Sequence, residues 1–292
     1  MFGNVLTAMI TPFRENGEVD EETAVRLAKD LVENGSEGLV VCGTTGESPT
    51  LTDEEKLRLI EKVKEAVGEK AKIIAGVGTY CTEHTIQLGR EVEKIGVDGV
   101  MVVAPYYNRP PQDALFLHFA AIADSIGLPI LIYNIPSRTG VNVAPETIIR
   151  LAQIENIVGL KQANASLEET SLIRKNTPER FVIYSGDDSL TLPFLSVGAI
   201  GVISVASHLV GRRMAQMIQS FFSGNVQEAL AIHLELFPLF KILFMVTNPI
   251  PVKAALYVKG KISCDYLRPP LRSPTVEERE KIRKVLEEGK WL

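Results

Sequence analysis

The sequence has few cysteines, and their arrangement excludes the sites that cysteines usually build. Its 292 residues include only three, Cys42, Cys81 and Cys264. An odd number without any CxxC spacing predicts neither a disulfide framework nor a zinc site. Unpaired thiols are typical of a reducing compartment, so we expect a cytoplasmic protein.

Long apolar runs and an excess of basic charge are also missing. The longest apolar stretch, LFPLFKILFMV from Leu236, contains a proline and a lysine and is too short to span a bilayer. The first residues, MFGNVLTAMITPFREN, have neither a basic segment nor the apolar core of a secretion signal. With a formal net charge of −5, we expect neither a nucleic-acid partner nor a membrane partner.

What the sequence does contain is a regular alternation of short apolar runs with helical segments. The runs are rich in valine and isoleucine and are apolar on both faces, as buried parallel strands are. The intervening segments carry helix signals, for example Thr52 as an N-cap with Glu55 as its capping-box partner. The eight runs begin at Val5, Gly38, Lys72, Gly99, Pro129, Ile157, Phe181 and Ala199.

Repeated strand–helix units of this kind predict an α/β fold, a (β/α)₈ TIM barrel. The alternative is an open doubly wound sheet, but TAMITPFREN, around the end of the first strand, lacks the glycine-rich phosphate fingerprint of that fold. From about Gly224 the pattern becomes purely helical. We therefore predict a catalytic barrel in residues 1–224 and a C-terminal helical subdomain in residues 225–292.

Polar side chains gather at the predicted C-terminal ends of the strands, where barrel enzymes place their active sites. The second strand runs into GTTGE, Gly43 to Glu47, a turn whose N–H groups and hydroxyls suit an anion. An equally good interpretation of GTTGE alone is a tight turn that caps a helix. Other strands end near Tyr106, Tyr107, Tyr133, Arg138, Lys161, Asp187 and Asp188.

Each of these residues has an ordinary structural explanation, since tyrosines pack, loop arginines are solvated and lysines at strand ends extend to water. Their convergence on one rim is harder to attribute to chance. A lysine desolvated by an apolar strand has a lowered pKa, and its neutral amine attacks ketones and aldehydes to form a Schiff base. The GTTGE turn would suit the carboxylate of an α-keto acid, and a tyrosine would move the protons.

Seven motifs together resemble those of the dihydrodipicolinate synthases, within the wider group of pyruvate aldolases that includes N-acetylneuraminate lyase. They are GLVVCGTTGES, PYYNRP, YNIPSRTG, GLKQA, SGDD, GVISV and NPIPVKAAL. The resemblance covers essentially the whole chain. It implies the condensation of pyruvate with aspartate semialdehyde to 4-hydroxy-tetrahydrodipicolinate, toward diaminopimelate and lysine, without a cofactor or a metal.

The resemblance implies catalytic roles for four residues. Lys161 would form the Schiff base with pyruvate. Tyr133 would transfer protons to and from the imine and the condensing aldehyde. Thr44 would hydrogen-bond Tyr133 and connect it to Tyr107, which in this family is donated across a subunit contact.

The resemblance also implies binding roles. Thr45 would hold the pyruvate carboxylate through its hydroxyl and backbone N–H. Arg138 would bind the carboxylate of aspartate semialdehyde, since a guanidinium fork suits that group. Ile203 would present its main-chain carbonyl near the pyruvate, and Gly186 would line the pocket. The family's assembly implies a homotetramer made of two tight dimers.

Three alternatives stay open at this point. Another pyruvate-dependent aldolase or lyase would use the same lysine on N-acetylneuraminate or a 2-keto-3-deoxy sugar acid, although Arg138 favours the synthase. A metal-assisted aldolase would need Asp187, Asp188 and a histidine, but the four histidines lack ligand spacing and three of them fall in predicted helices. A non-enzymatic binding protein would have no need of Lys161.

Two departures from the family's usual residues lead to further expectations. Gln162 stands where the family usually has glutamate, and the alternating pleat should turn its side chain away from the barrel interior. At the allosteric lysine site of some members, this chain has Asp53, Lys56 and His84, where feedback-sensitive bacterial members tend to have two histidines and a glutamate. The cation of Lys56 and the loss of an acceptor at His84 predict weak or absent inhibition by lysine.

Overall fold

The computed structural model describes residues 2–292 of the chain. Within that range strands and helices alternate up to the eighth strand, and only helices follow it. The strands are β1 (Val5–Ala8), β2 (Gly38–Val41), β3 (Lys72–Gly76), β4 (Gly99–Val103), β5 (Ile130–Asn134), β6 (Ile157–Gln162), β7 (Val182–Ser185) and β8 (Gly201–Ser204).

The helices fill the connections and the C-terminal region. Short 3₁₀ turns at Ser48–Thr50 and Asp188–Leu190 precede α2 and α8. The helices are α1 (Glu21–Glu33), α2 (Asp53–Val67), α3 (Thr82–Ile95), α4 (Gln112–Ser125), α5 (Pro136–Thr139), α6 (Pro145–Leu151), α7 (Leu167–Asn176), α8 (Thr191–Ser196), α9 (Ser207–Phe222), α10 (Val226–Ile242), α11 (Ile250–Val258) and α12 (Val276–Glu288).

The strands follow one another in chain order around a closed barrel. Neighbouring strands run parallel, and on β5 and β6, for example, Tyr133 lies opposite Lys161. The predicted (β/α)₈ TIM barrel is therefore confirmed. Parallel strands in a barrel all end at the same rim, which is why residues far apart in the sequence can serve one site.

The chain divides into two compact units, one of the residues up to Ile73 together with Ser204–Leu292, the other of Ile74–Ile203. The first unit contains α10, α11 and α12, in the region where the sequence pattern becomes purely helical. The boundary between residues 224 and 225 stays a prediction. Among the helices of residues 2–292, none has the length and apolar character that crossing a membrane requires.

The pairing of β6 with β7 depends on a glycine. All the residues of β6 except Val158 are buried. A Cβ atom at Gly159 would lie 2.6 Å from the carbonyl oxygen of Val182 on β7, too close for any side chain. The glycine thus permits the close strand pairing that carries Lys161 to the end of a buried strand.

The start of α2 illustrates how local sequence sets the helix boundaries. The Glu55 N–H donates to the Thr52 hydroxyl at 3.2 Å, and the Thr52 N–H donates to the Glu55 carboxylate at 2.9 Å. The predicted capping box is therefore confirmed. Such a cap contributes about 1 kcal/mol to helix stability.

The four histidines all lie in helices, one more than the sequence pattern predicted. His208, in the first turn of α9, is buried and uses both ring nitrogens. The Ile10 N–H donates to Nε2 at 3.2 Å, and Nδ1 donates to the Val205 carbonyl at 2.8 Å. Because Nε2 accepts a hydrogen bond only when unprotonated, this arrangement requires a neutral ring.

We expect acid to destabilise the fold through His208. Burial lowers its pKa from 6.5 to about 4, so its contribution to stability is complete above the unfolded pKa and is lost as the pH falls from 6.5 toward 4. From about pH 7.5 to about pH 4.5, the native protein should lose roughly 2–3 kcal/mol more unfolding free energy than His208→Gln, whose amide does not titrate. Urea unfolding at both pH values measures this, and equal losses would contradict it.

Candidate active site

Lys161 and Tyr133 lie side by side at the ends of β6 and β5. They form a register pair between the two strands. The Lys161 Nζ atom lies 4.3 Å from the centroid of the Tyr133 ring. Both side chains are buried, with 5% and 4% of their surface exposed. The structure thus brings together the predicted nucleophile and the predicted proton-transfer residue.

Burial changes the acid–base behaviour of Lys161. Desolvation lowers the pKa of its ammonium group from 10.5 to about 8, while the carboxylate of Asp188 raises it and the cation of Arg138 lowers it further. Roughly a tenth of the molecules would then carry the neutral amine at about pH 7, roughly 300-fold more than for an ordinary lysine. At neutral pH the amine of Lys161 is therefore neutral in a larger fraction of molecules than the amine of a solvated lysine, which suits the nucleophilic role predicted for it.

Arg138 lies in α5, the single helical turn that follows β5. The backbone N–H of Arg138 donates to the Ile135 carbonyl at 3.0 Å. Arg138 is exposed. The positive charge of Arg138 lowers the pKa of the Lys161 ammonium group. An arginine at an exposed position, with an electrostatic effect on Lys161, suits an anionic group of an incoming molecule.

Gly186 follows β7, and Ile203 lies within β8. The Gly186 N–H, just beyond β7, donates to the Gln162 carbonyl at 2.7 Å. A Cβ atom at position 186 would lie 2.7 Å from the Cβ atom of Ala163, so only glycine allows this close approach to the residues after Lys161. Ile203 is buried in β8.

Thr44 and Thr45 lie in the threonine loop, which we define as Gly43–Glu47 after β2. The loop closes on itself, because the Gly46 N–H donates to the Gly43 carbonyl and the Glu47 N–H to the Thr44 carbonyl, each at 3.1 Å. Thr45 is buried and Thr44 is half-buried. The tight turn expected from GTTGE is present.

Two side chains to which sequence reasoning assigned no role hold the threonine loop. Asn248, just before α11, donates its Nδ2–H to Thr45 Oγ1 at 3.0 Å. Lys253 of α11 forms an ion pair with Glu47, with 2.5 Å between Nζ and Oε1 and both side chains almost fully buried. A signal was present in the sequence, since Lys253 interrupts an apolar helix in the way that Lys161 interrupts an apolar strand.

Tyr107 differs from the other predicted site residues in its exposure. It follows β4, is 93% exposed and has a φ angle of 75°, a conformation that is strained for a tyrosine. Its neighbour Tyr106 instead packs edge-on against Tyr80, with 5.4 Å between ring centroids. Its predicted role across a subunit contact stays a prediction.

Gln162 lies one residue beyond Lys161 and is buried. It pairs in register with Asn134 on β5, and the Asn134 Nδ2–H donates to Gln162 Oε1 at 2.9 Å. Because successive residues of a strand face opposite sides, this amide pair lies on the face away from Lys161 and Tyr133. The orientation agrees with the expectation from the pleat.

Comparisons with known proteins agree with these motifs. The dihydrodipicolinate synthetase family matches residues 1–289. The 4-hydroxy-tetrahydrodipicolinate synthase of Desulforudis audaxviator (strain MP104C) is 52% identical over 291 residues, which is 100% of this chain and 99% of the relative. DHDPS from Cyanidioschyzon merolae, crystallised with lysine bound, has a TM-score of 0.98 and 46% identity, covering 100% of this chain and 99% of its own. A dihydrodipicolinate synthase described as the first monomeric variant has a TM-score of 0.96 and 43% identity, covering 100% of this chain and 98% of its own.

Proposed function

Because the chain belongs to the dihydrodipicolinate synthetase family, we propose that it condenses pyruvate with L-aspartate 4-semialdehyde. This is the activity of a 4-hydroxy-tetrahydrodipicolinate synthase, a lyase of lysine and diaminopimelate biosynthesis. The observation that carries the proposal is Lys161, buried beside Tyr133 with a pKa lowered to about 8. The nearby cation of Arg138 supports a second substrate with a carboxylate.

In the proposed reaction the neutral amine of Lys161 attacks the keto carbon of pyruvate, and loss of water leaves a Schiff base. Removal of a proton from the pyruvate methyl group gives an enamine, which attacks the aldehyde carbon of the second substrate. The amino group of that substrate then displaces Lys161 from the Schiff-base carbon, closing the ring and freeing the enzyme. The protonated Schiff base between Lys161 and pyruvate accepts the electron pair of the broken C–H bond, so we propose no cofactor.

We assign the proton transfers to Tyr133, because a phenol beside the Schiff-base nitrogen can both donate and accept a proton. Thr44 and Tyr107 would extend this proton path toward solvent. The exposure of Tyr107, at 93%, supports a position at the solvent end of such a path.

The remaining site residues are proposed to bind and shape the substrates. Thr45 would donate its hydroxyl and backbone N–H to the pyruvate carboxylate. The carbonyl of Ile203 would lie near the pyruvate, and Gly186 would leave room for it. Arg138 would bind the carboxylate of the semialdehyde.

Borohydride trapping tests the proposed function directly. Incubation with pyruvate and borohydride reduces a Schiff base to a stable amine, and mass spectrometry then locates the modified residue. We expect a pyruvate adduct on Lys161, together with condensation activity toward aspartate semialdehyde. An adduct on another residue, or cleavage of N-acetylneuraminate or a 2-keto-3-deoxy sugar acid in place of condensation, would contradict the proposal.

Arg138→Ala is expected to separate the two half-reactions. The variant should keep the pyruvate adduct and lower kcat/KM for aspartate semialdehyde by about a hundredfold, because hydrogen bonds to a charged group are lost. Since the Arg138 cation lowers the pKa of Lys161, its removal should also move the pH profile of trapping upward. Arg138→Lys keeps the positive charge but lacks the paired N–H donors of the guanidinium, so its kcat/KM should be intermediate. Loss of the pyruvate adduct in Arg138→Ala would contradict the assignment.

We further propose a homotetramer of two dimers that works in the cytoplasm. The exposed, strained Tyr107 supports a subunit contact at that point. Three free cysteines support a reducing compartment. Because one relative is described as monomeric, sedimentation of the purified protein is the measurement that decides the assembly.

Lysine is expected to inhibit the enzyme weakly or not at all. Lys56 pairs with Asp53 at 3.1 Å, and its cation would repel an incoming lysine. Condensation assayed in low-millimolar lysine, with calorimetric binding in parallel, measures this. The Cyanidioschyzon merolae protein, whose crystals contain lysine, is the binding control. Strong inhibition of this chain at that concentration would contradict the prediction.

A further inference from the structure

Asn248 donates a hydrogen bond to the hydroxyl of Thr45. Asn248 Nδ2 lies 3.0 Å from Thr45 Oγ1, and both residues are buried, with 5% and 2% of their surface exposed. An amide NH₂ can only donate, so the Thr45 oxygen accepts and its own hydrogen must point away from Asn248. The bond therefore selects among the staggered positions that a hydroxyl hydrogen can occupy.

Contacts with residues outside the threonine loop fix the backbone of the loop. The Thr11 hydroxyl donates to the Gly46 carbonyl at 2.7 Å. At the end of the loop Glu47 has a φ angle of 55°, and its carboxylate accepts the backbone N–H of Arg268 at 3.1 Å. Its other oxygen pairs with Lys253 at 2.5 Å.

These contacts leave little freedom to Thr45 except the rotation of its side chain and hydroxyl. Its neighbours Gly46 and Glu47 are fixed by hydrogen bonds and by a buried ion pair. The bond from Asn248 restricts the rotation of the hydroxyl, because its hydrogen cannot point toward the amide donor. A donor that is oriented before the ligand arrives loses less entropy on binding, and a hydroxyl that donates to a carboxylate forms a strong, charge-assisted bond.

We propose that Asn248 is a positioning residue, which turns the Thr45 hydroxyl hydrogen toward the place where the pyruvate carboxylate binds. The inference rests on the proposed function, because Thr45 has this ligand only when pyruvate is the substrate. Asn248 acts through Thr45 and takes no part in the covalent steps. Its removal therefore affects pyruvate binding and leaves the reactivity of Lys161 unchanged.

Two variants of Asn248 test the direction of the hydrogen bond. Asn248→Ala removes the donor and should raise the half-saturating pyruvate concentration about fivefold. Asn248→Asp has nearly the same shape, but its carboxylate accepts the Thr45 hydrogen and should raise that concentration about thirtyfold or more. The measured quantity is the rate of borohydride trapping on Lys161 against pyruvate concentration. The maximum rate at saturating pyruvate and the KM for aspartate semialdehyde should stay within twofold of the native values.

A double-mutant cycle separates positioning from a general structural role. Thr45→Val removes the hydroxyl on which Asn248 acts and should itself raise the half-saturating pyruvate concentration. In that background Asn248→Ala should add less than about twofold, because no hydroxyl remains to be oriented. A merely structural role would lower the urea midpoint and act equally in both backgrounds. Asn248→Asp keeps the test valid should the smaller alanine fail to fold, because it preserves the side-chain volume.

The outcomes distinguish this inference from the proposed function. Native protein that forms no pyruvate adduct on Lys161 overturns both. Native protein that forms the adduct, with Asn248 variants whose half-saturation stays within twofold of native, overturns the inference alone. The same holds when the effect of Asn248→Ala persists undiminished in the Thr45→Val background.

Discussion

Lys161→Met is expected to abolish the pyruvate adduct and to lower condensation by about a thousandfold or more, as removal of a covalent nucleophile does in other enzymes. Methionine has a similar length and no amine, so it fills the same space at the end of β6. The adduct is measured by intact mass after borohydride treatment, and condensation by product formation from both substrates.

The pH dependence of trapping in the native protein belongs to the same prediction. Burial lowers the pKa of Lys161 to about 8, and only the neutral amine attacks the keto carbon. The trapping rate at low pyruvate should therefore rise about tenfold per pH unit below that pKa and level off above it. A profile that still rises steeply at about pH 10 would indicate an ordinary, solvated lysine.

Stability gives a control on the Lys161→Met variant. The lowered pKa means that the fold disfavours the charged ammonium group, so replacing it with methionine should leave the unfolding free energy unchanged or raise it by about 2 kcal/mol. Lys94→Ala, on the exposed side of α3 where Lys94 pairs with Glu91 at 2.6 Å, is the matched surface control and should keep full activity. An adduct that persists in Lys161→Met, on Lys253 for example, would overturn the assignment.

Much of the fold could be predicted because its signals are local. The strands are short valine- and isoleucine-rich runs, and the start of α2 is specified by Thr52 and Glu55 within four residues. The regular alternation of strands and helices then allows few arrangements. The proximity of two candidate site residues could be predicted for the same reason, since the ends of parallel strands share a rim, and Tyr133 and Lys161 are neighbours in register.

The support of the threonine loop could not be predicted, because it depends on contacts between residues far apart in the sequence. Asn248 and Thr45 are 203 positions apart, and Arg268 reaches Glu47 across 221 positions. A lysine in the apolar stretch IPVKAAL indicates that some partner must exist, yet several acidic residues would satisfy that requirement equally well. Only the packing of α11 against the loop identifies Glu47 as the partner of Lys253.

The second large effect is a loss of stability, which we expect when the buried ion pair between Lys253 and Glu47 is broken. Lys253 has 0% of its surface exposed. Its Nζ atom lies 4.1 Å from the centroid of the Phe13 ring and donates to the Tyr266 carbonyl at 2.9 Å. Burial raises the pKa of Glu47 despite the neighbouring cation, and it lowers the pKa of Lys253. Each charge is therefore tolerated in the interior only because the other is present.

Lys253→Met should lower the unfolding free energy by about 3–5 kcal/mol near neutral pH, because the Glu47 carboxylate is left buried without its cation. The loss of unfolding free energy should grow as the pH rises. Without Lys253 the folded pKa of Glu47 rises further above its ordinary 4.5. The folded variant then binds more protons than the unfolded chain, so its stability falls as the pH rises, and the deficit is larger near pH 8 than near pH 5. Urea unfolding at the two pH values measures both effects.

Removing both charges tests whether the unpaired carboxylate is the cause. Glu47→Gln combined with Lys253→Met should recover at least about half of the lost stability and should abolish the extra pH dependence, because no buried charge remains. Lys284→Met is the matched control, since Lys284 lies on the surface of α12 with 3.8 Å to Glu288, and it should change the unfolding free energy by less than about 0.5 kcal/mol. If the double variant were as unstable as Lys253→Met, the loss of stability would come from changed packing around Phe13 and not from the unpaired charge. A Lys253→Met protein as stable as the native one would mean that the ion pair does not hold the loop.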